Sequence, residues 1–131
     1  MTLLYKISGT VKTSKKRGAK LGFPTANIDL KEDIPDGIYV GFTSFDSRKL
    51  PSLIFIGTPE MFGETEKRAE VYILNFSQDI YGKEITLELM KKLRDNKRFD
   101  SKEELVEAMS QDEIDARRFF KSQKTNSKKQ T

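Results

Sequence analysis

The sequence predicts a mainly β domain, a closed antiparallel barrel or sandwich with one C-terminal helix packed against it. Three observations carry this expectation. Apolar side chains alternate with a period of two through the first two thirds of the chain. Turn signals interrupt that alternation at Pro35-Asp36-Gly37, Asp46-Ser47 and Tyr81-Gly82-Lys83. After Phe99 the apolar spacing becomes helical.

Each element follows from its own stretch. Lys6–Val11 is the first strand candidate, and in Ile38–Phe45 the residues Ile38, Val40 and Phe42 share a face. Leu53–Ile56 is a short apolar run. Ala69–Phe76 is apolar on both faces, as a strand is when one side lines a core and the other is covered. Glu84–Leu89 alternates cleanly, with Ile85, Leu87 and Leu89 opposite Thr86 and Glu88. Several short strands with turns between them fit a closed antiparallel arrangement. Ser101 and Glu104 form a capping box ahead of the stripe Leu105, Val106 and Met109. Ser110 and Glu113 repeat the device, which predicts a helix broken near Ser110. Residues 122–131 carry no apolar side chain, so the folded domain is expected to span 1–121 and the basic tail to be disordered.

Composition narrows the chemistry. With 131 residues, 36% of them hydrophobic, the chain suits one domain with a real core. No apolar stretch approaches the roughly 20 residues that cross a bilayer, and the first residues lack the apolar run of a secretory signal. A cytoplasmic protein is expected. Cysteine and histidine are both absent, which removes disulfides, thiolate and histidine catalysis, and the common zinc sites. Acid–base work falls to Asp, Glu, Lys or Tyr, and any metal is a hard ion held by oxygen, Mg²⁺ first. The net charge of +4 sits in the tail: Lys121, Lys124, Lys128 and Lys129 leave 20 basic against 20 acidic residues elsewhere. A neutral body with a solvated terminus is expected, without nucleic acid as partner.

The most informative stretch is Lys15–Asn27. Gly18 and Gly22 allow close backbone approach to a ligand, and exposed N–H groups with Lys20 suit phosphate oxygens. Neither a Walker A nor a Rossmann spacing is present. On spacing alone, an exposed basic hairpin explains the loop equally well. In Pro24-Thr25-Ala26-Asn27 a hydroxyl and an amide two residues apart share one side of an extended chain. That pair suits Mg²⁺ and a phosphate oxygen; hydrogen bonding within a turn is the alternative.

Leu21-Gly22-Phe23-Pro24-Thr25-Ala26-Asn27 resembles the signature of the riboflavin kinase family. Asp36-Gly37-Ile38-Tyr39, Glu70-Val71-Tyr72-Ile73-Leu74 and Asp79-Ile80-Tyr81-Gly82-Lys83 resemble further family segments. So do Leu93–Ser101, Asp112 and Ala116-Arg117, all in the family's order between residues 7 and 119. The resemblance implies a Greek-key antiparallel barrel with a C-terminal helix. It implies transfer of the γ-phosphoryl group of ATP to the terminal ribityl hydroxyl of riboflavin, giving FMN and ADP.

Residue roles follow from the resemblance. Thr25 and Asn27 would hold Mg²⁺ and the ATP phosphates, with Gly18, Lys20 and Tyr81 near the nucleotide. Glu70 would be the general base; the alternative is a solvent-facing acid paired with Lys67 or Arg68. Arg94 and Lys97 would line the flavin side, Arg94 within reach of the FMN phosphate. Glu104 matches a flavin-contacting position and is also the third residue of the capping box, the role favoured here. Phe99 is expected in the core. Ser14 and Lys16 replace glycines usual in the family, and Gly57–Phe62 matches its pattern only loosely, with Glu60 in a threonine position.

The rivals are a flavin- or nucleotide-binding barrel without catalysis and a small basic RNA-binding barrel. Retention of Thr25, Asn27 and Glu70 together argues against the first, and the neutral body against the second. Because the first strand begins almost at Met1, no adenylyltransferase domain is expected, FMN is the expected end product, and the protein is expected to be a monomer.

Overall fold

The computed structural model describes residues 3–12, 25–58 and 67–129. Six strands form one antiparallel sheet: β1 (Tyr5–Thr10), β2 (Ala26–Asp29), β3 (Gly37–Phe45), β4 (Arg48–Gly57), β5 (Arg68–Ile73) and β6 (Glu84–Arg94). They lie in the order β1-β6-β3-β4-β5-β2. The Lys12 N–H donates to the Asn27 carbonyl at 2.8 Å, which draws the two edges together. The result is a nearly closed barrel with one C-terminal helix, α1 (Lys102–Lys129).

Period-two alternation explains the two cores. Ile7, Ile28, Tyr39, Ile54, Ile56, Val71, Ile85, Leu87 and Leu89 point into the barrel. The alternate residues Ile38, Val40 and Leu53 form a second cluster on the outer face with Leu74 and Ala116, packed by Phe55, Tyr72, Leu93, Phe119 and Phe120. This explains why Ala69–Phe76 is apolar on both faces: one face lines the barrel and α1 covers the other. At about 25 cal/mol per Å² of apolar surface, covering this second face is a main reason for α1 to dock.

Several expectations need adjustment. β5 stops at Ile73, because Leu74 and Asn75 turn, with Asn75 at φ 57°. β4 and β6 run longer than the Leu53–Ile56 apolar run and the Glu84–Leu89 alternation suggest. β4 includes Pro51, whose carbonyl accepts from Leu74 N–H at 3.0 Å. Proline has no N–H to return to Leu74, and the β4–β5 ladder ends beside it at Ser52↔Ile73. β6 continues past register irregularities beside Tyr39 and Gly41. There a Cβ on Gly41 would stand 1.8 Å from the Glu88 carbonyl oxygen, a crossing that only glycine permits. β2, four residues long, is too short to show a period.

The Asp46-Ser47 turn joins β3 to β4 with φ of 49° and 61°, the two positive values that a type I′ hairpin needs. α1 begins as its capping box requires: the Ser101 hydroxyl accepts from Glu104 N–H at 3.2 Å. The expected break at Ser110 is absent. Ser110 is exposed in mid-helix, where a serine costs only a few tenths of a kcal/mol, and the flanking turns are held to the barrel. The helical backbone continues through 122–129, where composition suggests disorder; Lys, Gln and Ser carry only small helix penalties. No helix among the described residues is long and apolar enough to cross a membrane.

Candidate active site

β2 and β5 pair in the register Asn27↔Glu70. Directly opposed residues of an antiparallel pair project from the same face, with Cβ atoms about 4.5–5.5 Å apart. Ile28 points into the barrel, so Asn27 and Glu70 face outward. Pairing continues the row as Glu70↔Phe55, Phe55↔Ile38 and Ile38↔Arg94. One outer-face row therefore holds Asn27, Glu70, Phe55, Ile38 and Arg94.

The Asn27 end carries most of the expected nucleotide residues. Thr25 lies two residues before Asn27, just outside β2. Asn27 is only 8% exposed, and its Oδ1 is buried with no hydrogen-bond partner among the described residues. An acceptor in that condition is costly unless a water, an ion or a ligand completes it. Lys12 and Asn27 form the closing bridge, and Gly18 and Lys20 fall between them in sequence. Gly18 and Lys20 themselves lie outside the described residues, as do Ser14, Lys16 and Glu60. The Tyr81 turn is tied to the same corner: Val11 N–H donates to the Lys83 carbonyl at 2.9 Å and Gly82 N–H to the Val11 carbonyl at 3.0 Å. Tyr81 is 62% exposed there, with its backbone N–H on Asp79 Oδ1.

Glu70 is half-buried. Lys67, one suggested partner, sends its ammonium to Asp36 at 2.8 Å and to the Ile34 carbonyl. Tyr72, two residues on and on the same face, donates its hydroxyl to Glu113 of α1 at 3.1 Å. Burial first, and the Glu113 carboxylate second, push that phenol above its ordinary range. Glu113 also accepts from Arg117, which in turn bonds the Asn75 side chain. This network fixes α1 beside Glu70's strand.

The Arg94 end is built differently. Arg94 forms a bidentate pair with Asp112, Nε to Oδ1 at 2.8 Å and Nη2 to Oδ2 at 2.7 Å, and Asp112 is 4% exposed. Nη1 donates to the Asp95 carbonyl, and the guanidinium lies 6.0 Å from the Phe99 ring centre. These contacts lock Arg94 onto the helix, so its geometry is that of a structural tie. Glu104 accepts from Asp100 N–H at 3.0 Å, the capping role. Lys97 is exposed on the connection between β6 and α1. The structure thus brings Thr25, Asn27, Glu70 and Tyr81 to one corner and sets Arg94, Lys97 and Glu104 apart from it. Phe55 escaped the sequence reading because only the strand register reveals that it faces Glu70.

The riboflavin kinase family model matches residues 1–120. The bifunctional riboflavin kinase/FMN adenylyltransferase of Escherichia coli K12 is 35% identical over 119 residues, 88% of this chain and 38% of that protein. The RNA-binding riboflavin kinase RibR of Bacillus subtilis is 36% identical over 108 residues, 81% of this chain and 47% of that protein. The chain thus spans less than half the length of either relative. The crystal structure of riboflavin kinase from Trypanosoma brucei superposes with a TM-score of 0.63 at 22% identity, over 92% of this chain and 82% of that one, a likeness of fold. Together with the residue pattern on β2 and β5, the family match places this chain in the riboflavin kinase family.

Proposed function

We propose that this protein is a riboflavin kinase, transferring the γ-phosphoryl group of ATP to the terminal ribityl hydroxyl of riboflavin to give FMN and ADP. The observation that carries this reading is the Asn27↔Glu70 register, which sets an amide oxygen with no partner among the described residues beside a carboxylate on one outward face. Glu70 accepts the proton of the ribityl hydroxyl at a carboxylate oxygen. The hydroxyl oxygen forms a bond to the γ-phosphorus as the bond to the ADP oxygen breaks. General-base help of this kind contributes about 10²–10⁴-fold.

Thr25 and Asn27 would hold a divalent cation, Mg²⁺ in preference, against the phosphates. The buried, unpaired Oδ1 of Asn27 is the hard oxygen donor such an ion takes. Among the described residues no group of three or more acidic side chains could hold a metal alone, so nucleotide oxygens would complete the shell. When bound, the ion supplies charge neutralisation on the transferring phosphoryl group. Gly18 and Lys20 would complete the phosphate loop, with Tyr81 beside the nucleotide. Arg94 acts on the flavin side by holding the 95–101 connection, with Lys97 on it, rather than by reaching the phosphate, because Asp112 already takes its fork.

Incubating the protein with riboflavin, ATP and Mg²⁺ and separating flavins and nucleotides by chromatography tests this proposal. FMN and ADP in equal amounts are expected. Riboflavin recovered unchanged across several metals and nucleotides would refute the enzyme assignment. The relative named as RNA-binding makes single-stranded RNA the control ligand. A salt-dependent mobility shift with RNA, and no binding of riboflavin or ATP, would favour the RNA-binding barrel instead.

A further inference from the structure

Asn96 lies just beyond β6, and its side chain reaches back to β4. Its Nδ2 donates to the Ile56 carbonyl at 3.0 Å, which fixes the orientation of the amide, since only the nitrogen can donate to a carbonyl. Its Oδ1 is then left buried, with no hydrogen-bond partner among the described residues. The same condition marks Asn27 at the nucleotide corner.

The surroundings give this second acceptor a chemical setting. A Cβ on Gly57 would stand 2.5 Å from Asn96 Nδ2 and 3.1 Å from Phe55 Cζ, so the amide and the aromatic ring both close over the Gly57 backbone and lie side by side there. Phe55 is directly opposite Glu70. Gly57 pairs with Arg68, which makes it the diagonal neighbour of Glu70, about 7–8 Å away. Strand order sets Asn27 on one side of Glu70 and the Phe55–Gly57–Asn96 group on the other. In an in-line transfer the attacking alcohol oxygen and the leaving ADP oxygen lie on opposite sides of the γ-phosphorus. With the phosphates at Asn27 and the base at Glu70, the alcohol and the flavin it carries extend away from Asn27, toward the Asn96 side.

We propose that Asn96 Oδ1 reads the pyrimidine edge of the isoalloxazine by accepting a hydrogen bond from flavin N3–H, with the Phe55 ring as an apolar wall beside it. This inference rests on the riboflavin reading above. The oxidised isoalloxazine offers carbonyl oxygens and ring nitrogens as acceptors but a single N–H donor, at N3. The unpaired acceptor of Asn96 thus complements the one donor of the ring system, and Asn96 is a specificity-determining residue for the flavin.

Flavin fluorescence quenching, titrated with riboflavin and with 3-methylriboflavin, tests the assignment. The wild-type protein is expected to bind riboflavin at least about tenfold more tightly, because a buried acceptor rejects a ligand that cannot donate to it. Asn96→Ala is expected to narrow that ratio to about twofold. Equal affinities in the wild-type protein would overturn the proposal, and this comparison requires no variant to fold. Full discrimination retained in folded Asn96→Ala would overturn it as well. Absence of any quenching by riboflavin would instead remove the substrate reading itself, and this inference with it.

Discussion

Asn27 and Arg94 stand on the same face of the same sheet, four strands apart in one cross-strand row, yet their polar atoms are treated in opposite ways. Arg94 is closed off by a bidentate carboxylate, a backbone carbonyl and an aromatic ring. Asn27 keeps a buried oxygen without a partner among the described residues, one position from a half-buried carboxylate. A fully satisfied polar group holds architecture together. An unsatisfied one is tolerated where a ligand completes it, at a cost of about 1–3 kcal/mol in its absence. The family signature includes both ends without distinguishing them; hydrogen bonding does.

The comparison breaks most sharply at Glu70. Glu70→Gln should lower kcat for FMN formation by about 10²–10⁴-fold while leaving the Kd for Mg-ADP near that of the wild type. Undiminished turnover would remove Glu70 as the base. At the other end, Asp112→Ala should leave the Arg94 guanidinium poorly compensated and cost about 3 kcal/mol in urea unfolding. A loss of activity without loss of stability there would mean that Arg94 belongs to the chemistry instead.

Asn27→Leu sharpens the contrast. Mg-ADP affinity should fall about tenfold or more, as expected when a ligand to a charged group is lost, while the melting temperature changes little, because Oδ1 gives up no partner among the described residues. A large stability loss with normal nucleotide affinity would assign Asn27 to the architecture. The smallest effect belongs to Tyr72. Its phenol is held above its ordinary value of 10, first by burial and then by Glu113, so its contribution is full below the unfolded value and is lost as pH rises through the folded one. Tyr72→Phe should cost about 1 kcal/mol near neutrality, and the gap to wild type in urea midpoints should close as pH rises above 10. A gap that widens would contradict the direction of the shift.

Much of the fold was legible because its cause is local. Alternation in β3 and β6, the hairpin at Asp46-Ser47 and the cap at Ser101 each depend on neighbours in sequence. The unbroken helix was not, because Ser110 and Glu113 carry a start signal that tertiary contacts of Asp112, Glu113 and Ala116 override. At the site, Thr25, Asn27 and Glu70 were singled out by residue type and family pattern. Their adjacency was not, since it depends on a long-range register that no local pattern encodes. Arg94 shows the converse: its type suits a phosphate, and only its pairing with Asp112 reveals where the fork is spent. Asn96 and Phe55 lie in stretches the sequence marks, Leu93–Ser101 and Leu53–Ile56, but their relation to Glu70 was not legible, because it exists only through β4.

The distinction between the two ends is most directly tested by titrating paramagnetic Mn²⁺–ADP into ¹⁵N-labelled protein, with Mg²⁺–ADP as the diamagnetic control. Arg94 lies four strands from Asn27 in the sheet order, on the far side of Glu70, and paramagnetic broadening falls steeply with distance. The side-chain amide signals of Asn27 should vanish at substoichiometric Mn²⁺–ADP while the Arg94 Nε–H signal keeps most of its intensity. Loss of the Arg94 signal first, with Asn27 unaffected, would contradict the placement of the metal–nucleotide at the unpaired end.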